Sequence, residues 1–392
     1  MNLVPAIIAV GLTAYGVVER RRHDRNIVRI PVRVHVNGTR GKSSVTRLIA
    51  GGLRASGRRT FAKTTGTMAR MIRPDGSEVD VYRVGRPNLI EQIRIVRRAL
   101  EERAEALVIE CMAVSPELQP ISELELVKST VGVITNVRPD HLDVMGPTVD
   151  DVARALSQTL PRSGHAFTAE RERAHILEAV ARERGSVLHV TDAGGVSEAD
   201  LAGFSYFEHA ENVALALAVC EHLDVARAVA LRGMQEATPD PGVLRRYTVR
   251  SGDKEVEFVN AFAANDPDST YLIWQRLGLD RTTPGLRRIV LANCRGDRLQ
   301  RSGQIAELVA NRLHVDHVVL TGQGTALVAQ QAVSKGLDRG RISDLGGMSA
   351  ERVYERVLNL VEVRGVVVGI GNIVGLGQEI ALHFSNRAVK RG

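Results

Sequence analysis

From Ile30 onward, short β-branched runs alternate with amphipathic stretches, the pattern of strands and helices layered in an α/β protein. The runs predict strands at 30–36, 60–63, 106–112, 131–137 and 186–190. Between and after them, helical spacing falls at 42–55, 89–102, 149–160, 171–184, 210–222 and 226–236. Thr238-Pro239-Asp240-Pro241-Gly242 then breaks the pattern and marks a domain hinge. The alternation restarts with strands near 244–249, 255–260, 288–293, 316–321 and 365–370, and helices near 269–277, 303–312 and 350–361.

The first residues break this rhythm. Residues 3–18 (LVPAIIAVGLTAYGVV) carry no charge, and 19–25 (ERRRHDR) follow with four arginines. Sixteen residues at ~1.5 Å rise cover roughly 24 Å, short of the ~30 Å hydrocarbon core. A secretory signal would place its basic cluster before the apolar run, not after it. The positive-inside bias puts Arg20 onward on the cytoplasmic side. The expectation is a single N-terminal anchor over 1–26, with a helix docked on the protein's own surface or on a partner as its rival. A central domain over 27–240 and a smaller one over 241–392 follow.

The 392 residues, 44% hydrophobic and 25% charged, exclude wholesale disorder and a fibrous repeat. Of 52 cationic residues only six are lysine, leaving 46 arginines and a net charge of +7. Arginine grips carboxylates and phosphates bidentately, so the balance is compatible with an acidic substrate but does not identify one. Cys111, Cys220 and Cys294 stand far apart without metal spacing and read as buried thiols in a reducing compartment.

The chemistry concentrates in three segments. Val34-His35-Val36-Asn37-Gly38-Thr39-Arg40-Gly41-Lys42-Ser43-Ser44 reads as strand, Gly-rich turn and helix start. That order points backbone N–H groups and a helix N-terminus at one small space, which suits a polyphosphate. Lys42 is placed for the β/γ-phosphates and Ser43 for the Mg²⁺-binding hydroxyl. Val36 stands where the eight-residue pattern requires glycine, so the loop is the shorter GxxGKS form. The strand 107–112 carries Glu110 near its C-terminal edge, where ligands of parallel sheets collect. A second apolar strand runs through Thr135 and Asn136 into Asp140, His141 and Asp143. Singly, Glu110 reads as a strand-end charge paired with an arginine, and His141 as a loop histidine. Together with the loop they supply the donors for Mg·ATP, although histidine is the less usual Mg²⁺ ligand.

This combination resembles the Mur ligase superfamily of ATP-dependent amide-bond ligases. GTRGKSS is similar to the family's short phosphate loop, Glu110 to its metal-binding glutamate, and Thr135–Asp143 to its TNxxxDHLD signature. The stretch 211–218 (ENVALALA) is similar to the segment whose asparagine contacts adenine, which is Asn212 here. Asn265-Asp266-Pro267-Asp268-Ser269 and Asn293-Cys294-Arg295-Gly296-Asp297-Arg298 resemble segments of the family's C-terminal domain. The resemblance narrows through AKTTGTMAR (62–70), FVNAFAANDPDST (258–270) and GIGNIVGLG (369–377) to the ligase subunits of poly-γ-glutamate synthases, the CapB/PgsB type. It implies a Mur-ligase-like P-loop ATPase domain followed by a smaller Rossmann-like α/β domain. Many Mur ligases carry a carbamylated lysine after the DHLD motif; 150–160 (DDVARALSQTL) has none, so no second metal is assigned.

The implied reaction activates a glutamate γ-carboxylate as an acyl phosphate, which the amine of a second glutamate then displaces. The cofactors are ATP and Mg²⁺. The resemblance puts Gly38, Thr39, Arg40, Gly41, Lys42, Ser43, Ser44, Asn136, Asn212 and Asp297 at the nucleotide, and Ser43, Glu110 and His141 at the metal. Lys42, His141, Arg295 and Arg298 are the catalytic candidates. Thr64 and Thr65, at the end of the second strand, are candidates for orienting substrate, with a polar turn as the plain alternative. Implied partners are glutamate, poly-γ-glutamate and membrane subunits of a synthase and export complex at the cytoplasmic face; self-association stays open. The same chemistry serves folylpolyglutamate and peptidoglycan-precursor ligases. A nucleic-acid-dependent P-loop ATPase is a rival from another class, but 4% aromatics leave few stacking platforms, so no nucleic-acid partner is expected. A dinucleotide oxidoreductase is disfavoured, because 17 residues after Gly375 cannot complete a Rossmann fingerprint.

Overall fold

The computed structural model describes residues 4–65, 69–83, 85, 87–204, 206–240, 244–262, 267–296, 299–373 and 375–389. The chain divides into two compact units, Met1–Asp240 and Pro241–Gly392.

The first unit holds β1 (Val32–Asn37), β2 (Thr60–Lys63), β3 (Arg70–Ile72), β4 (Glu78–Asp80), β5 (Ala106–Glu110), β6 (Val131–Ile134), β7 (His165–Thr168) and β8 (Val187–Val190). They form one sheet in the order β4-β3-β2-β5-β1-β6-β7-β8. The six strands from β2 to β8 pair in parallel, while β3 and β4 turn back antiparallel at the edge, so the sheet is mixed. Apolar residues on both faces of the central strands explain the uninterrupted runs in the sequence. In β5, Ala106 and Val108 join a core with Leu48 and Leu217, while Leu107 and Ile109 join another with Ile27 and Ile95. Two helices beside the sheet carry the later argument: α2 (Lys42–Ala55) and α3 (Glu91–Glu101).

The N-terminal segment is one continuous 24-residue helix, α1 (Val4–Ile27), which runs through the basic cluster without a break. Ile7, Ile8, Val10, Leu12 and Tyr15 are exposed, whereas His23 and Ile27 are buried. His23 Nε2 lies 2.8 Å from the Leu126 carbonyl oxygen, Lys128 pairs with Asp24 at 2.7 Å, and Arg20 pairs with Glu125. Those partners lie on or just after a π-helical turn, Ser122–Val127. Among the described residues no helix is long and apolar enough to cross a membrane. The expected single-span anchor therefore has no support: the apolar run stops at Val18, and the turns beyond it are charged and packed on the first unit.

The second unit holds β9 (Arg245–Ser251), β10 (Lys254–Asn260), β11 (Leu286–Cys294), β12 (His317–Gly322), β13 (Ile342–Gly346) and β14 (Arg364–Gly371). Their order is β13-β12-β11-β14-β10-β9, parallel except for β9. Val290 and Ala292 face a core with Trp274 and Val328; Ile289 and Leu291 face one with Val353 and Phe384. Asn293 ties three strand ends together. Its Nδ2 donates to the Asn372 carbonyl at 2.6 Å, its own carbonyl accepts from Asn372 N–H at 2.9 Å, and its Oδ1 accepts from Thr321 at 3.3 Å. The GIGNIVGLG segment is the end of β14 and the approach to the helix Leu376–Asn386, a terminal strand-turn-helix.

Candidate active site

The loop between β1 and α2 has the backbone that its glycines permit. Gly38 sits at φ 132°, and a Cβ there would fall 2.0 Å from Thr135 Oγ1. Gly41 sits at φ 82°, with Asn212 Oδ1 2.8 Å from where its Cβ would be. Both angles lie where only glycine sits without strain. The end of β6 laces the loop in place. Asn136 Oδ1 accepts from Thr39 Oγ1 at 2.7 Å and Arg40 N–H at 3.1 Å, and its Nδ2 donates to the Arg40 carbonyl at 3.1 Å. Thr135 Oγ1 donates to that same carbonyl at 2.6 Å. Asn136, expected at the nucleotide, thus shapes the loop that would hold it.

Lys42 and Ser43 begin α2, with Ser44 in the same first turn. Lys42 Nζ donates to the Gly38 carbonyl at 2.6 Å, which holds the ammonium over the loop. A cavity of about 180 Å³ opens there, lined by Gly38, Thr39, Lys42, Thr65, Asp140 and His141 among others. Ser43 Oγ donates to Glu110 Oε2 at 2.9 Å, and Thr65 N–H donates to the same oxygen at 2.7 Å. Glu110 is buried at the last position of β5, and its Oε1 accepts no hydrogen bond among the described residues. Three strand ends therefore meet the loop: β2 through Thr65, β5 through Glu110, and β6 through Thr135 and Asn136.

The other sequence candidates take distinct places. His141 has a left-handed backbone at φ 47° and half its side chain exposed, at the cavity wall beside Asp140. Arg40 reaches Asp140 at 3.5 Å. Thr64 is buried with its hydroxyl accepting from Arg70 N–H at 3.2 Å, so it fastens β2 to β3, and Thr65 is the threonine that faces the cavity. Asn212 is buried against Gly41 and donates to Glu208 at 2.8 Å. Burial pushes the Glu208 carboxyl above its ordinary range. Arg295 follows β11 in the second unit, half-buried; Asp297 and Arg298 lie outside the described residues, as do Asn265 and Asp266.

Two groupings escaped the sequence reading. Lys63, the last residue of β2, is fully buried and pairs with Glu91 at 2.8 Å, and Arg83 grips the same carboxylate at 2.6 Å and 3.0 Å. Burial pulls the Lys63 ammonium below its ordinary value against the opposing pull of Glu91 and Glu110. The only sequence signal was a lysine closing an apolar strand in a chain poor in lysine. Behind β1, His35 Nδ1 lies 2.7 Å from Glu123 Oε2, and Glu123 Oε1 accepts from Ser129 N–H and Oγ, each at 2.8 Å. Burial disfavours the imidazolium, but contacts with Cys111 and then Glu123 outweigh it and lift His35 to about 9.

Among the described residues no three His, Cys, Asp or Glu side chains gather as a metal cage. One carboxylate and one hydroxyl 2.9 Å apart beside a phosphate loop are present instead. That donor set fits Mg²⁺, which takes few protein ligands and completes its shell with phosphate oxygens and water.

A mixed α/β sheet with this loop, glutamate and asparagine arrangement defines an ATP-dependent ligase of the Mur type. Residues 36–233 match the Mur ligase middle domain family, and 246–387 match the poly-gamma-glutamate synthase CapB C-terminal domain family. The chain is 40% identical over 382 residues to the capsule biosynthesis protein CapB of Bacillus anthracis, covering 97% of this chain and 82% of that one. It is 37% identical to the PGA synthase CapB of Bacillus subtilis strain 168, covering 96% of each. The chain belongs to the CapB family. In fold it is similar to the Yersinia pestis bifunctional folylpolyglutamate synthase/dihydrofolate synthase complexed with AMPPNP and Mn, with TM-score 0.67, 17% identity and 93% of each chain covered. The Mycobacterium tuberculosis folylpolyglutamate synthase complexed with ADP gives TM-score 0.67 at 15% identity, covering 99% of this chain and 100% of that one.

Proposed function

We propose that this ligase joins glutamate units through γ-amide bonds, using ATP and Mg²⁺. A glutamate γ-carboxylate attacks the γ-phosphate, ADP leaves, and the amine of the next glutamate displaces phosphate from the acyl phosphate. Both reactants are anionic, so the catalytic demand is charge neutralisation and positioning more than proton transfer. The N-terminus of α2, with the N–H groups of Gly41 to Ser44, receives the phosphates, since Thr39 and Arg40 N–H are committed to Asn136, and Lys42 supplies the cation at the transferring group. Ser43 and Glu110 would hold Mg²⁺, with His141, on the wall of the neighbouring cavity, as the third candidate ligand; bound there, the ion would neutralise phosphate charge. Thr65 presents its hydroxyl where substrate enters, while its N–H fixes Glu110.

One observation carries this reading: Ser43 and Thr65 both donate to Glu110 beside the Lys42 loop. Glutamate-dependent ADP release by the full-length protein, with Mg²⁺ present and then chelated, tests it. Release that needs both glutamate and Mg²⁺ is the expected result. ATP hydrolysis driven by polynucleotide and indifferent to glutamate would replace it with the ATPase reading.

For location, we propose that the exposed apolar half of α1 docks the enzyme at the cytoplasmic face of the membrane, on membrane subunits of a synthase and export complex. Exposed Ile7, Val10 and Leu12 support it. Membrane fractionation of cells with and without the partner subunits tests it; equal recovery in both removes the docking role.

A further inference from the structure

A second cavity of about 510 Å³ opens in the first unit beside the phosphate cavity, and Arg83 lines both. One wall is α3, whose Ile95, Val96 and Ala99 are buried while Arg94, Arg97 and Arg98 are exposed. The charges of this cavity are unevenly committed. Each of its three acids already holds a cation: Asp80 with Arg70 at 2.8 Å, Glu101 with Arg98 at 3.0 Å, and Glu91 with both Lys63 and Arg83. Arg94 and Arg97 have no carboxylate partner and no hydrogen-bond acceptor among the described residues. Three positions apart on a helix, they are surface neighbours, with Cβ atoms about 5–6 Å apart. A guanidinium offers a carboxylate two parallel donors.

A cavity with two uncommitted guanidinium groups, sharing Arg83 as a lining residue with the phosphate cavity, fits a ligand bearing carboxylates in series. We propose that it seats the γ-linked glutamate chain that is being extended, with Arg94 and Arg97 gripping carboxylates back from the reacting end. The proposal rests on the ligase reading above and adds where the polymer lies. Exposed ion pairs are individually weak, so affinity grows with the number of carboxylates engaged and falls as salt screens them. A solvated arginine face predicts neither dependence on chain length nor loss of binding when two arginines are replaced.

The test is fluorescence anisotropy of a labelled γ-linked glutamate decamer with the full-length protein, beside a labelled dimer and a single-stranded polynucleotide of equal length. The decamer should bind more tightly than the dimer and weaken in high salt. The Arg94→Gln/Arg97→Gln double variant should bind the decamer roughly tenfold more weakly, with ATP affinity and melting temperature as in the wild type. Wild-type affinity in the double variant, no preference for decamer over dimer, or tighter binding of the polynucleotide each overturns the proposal. Glutamate-dependent ADP release on the same preparations separates it from the reading beneath. Decamer binding without ADP release removes the ligase reading and leaves the cavity; ADP release with undiminished decamer binding by the double variant does the reverse.

Discussion

Ser43 Oγ donates to Glu110 Oε2 at 2.9 Å, joining the start of α2 to the end of β5 across 67 residues of chain. Thr65 N–H occupies the same oxygen, so one carboxylate oxygen is fixed twice and the other accepts no hydrogen bond among the described residues. That is how a carboxylate is held to offer one oxygen to a metal.

Glu110→Gln and Ser43→Ala should therefore each raise the Mg²⁺ needed for half-maximal ADP release, by roughly tenfold or more. A Mg²⁺ titration at saturating ATP reads this directly. Curves that overlay the wild type in both variants would return the pair to a purely structural role.

Lys42→Ala should leave the melting temperature unchanged, because the side chain lies over its own loop and not in a core. Turnover should fall on the order of 10²–10³-fold, the usual loss when one charge-stabilising contact to a transition state goes. Single-turnover ADP formation under saturating ATP distinguishes this from a loss of binding.

His35 sets a pH window. Its folded value of about 9 stands above the ordinary 6.5, so the folded state holds a proton that the unfolded chain releases earlier. The stabilisation is full below about 6.5 and is lost as pH rises through about 9. The loss amounts to a few kcal/mol in order of magnitude. Glu123→Gln and Cys111→Ala should each flatten the fall in melting temperature between those pH values. An identical slope in both variants would exclude His35 as its source. In the second unit the sign reverses: burial, then the charges of Arg356, Arg287 and Arg341, push His317 to about 4. Its stabilisation is present above 6.5 and is lost as pH falls through about 4.

Deletion of residues 1–18 should barely change thermal stability, since Val4, Ile7, Ile8, Val10, Leu12, Tyr15, Val17 and Val18 are exposed. Deletion through Ile27 removes a fully buried side chain and the His23–Leu126 contact, costing roughly 2–4 kcal/mol. Melting curves of both forms check this. Equal stability would mean that the last turns of α1 contribute nothing to the fold.

The sequence disclosed most about strands buried on both faces. β5 and β6 show as nearly continuous apolar runs because both of their faces are buried. β3, β4, β7 and β13 were not read: each is three to five residues long and mixed in polarity, and pairing with neighbours makes them strands. The helix Thr325–Ser334 was missed as well, its polar residues scattered without a clean stripe. At the site, the phosphate loop and Glu110 were legible because consecutive residues carry the chemistry. The Lys63–Glu91–Arg83 cluster was not, since Lys63 lies 20 or more residues from its two charged partners and acquires meaning only once β2 and α3 converge. His35 and Glu123, 88 residues apart, were invisible for the same reason.

The turn that receives α1 also carries Glu123, the carboxylate that grips His35 two residues before Asn37 and the phosphate loop. A 24-residue helix is about 36 Å of stiff rod, and its foot is bolted to Glu125, Leu126 and Lys128. Whatever takes hold of the free end thus gains a handle rather than a tether. A push or tilt delivered there bears on the same turn that braces the strand leading into the nucleotide pocket.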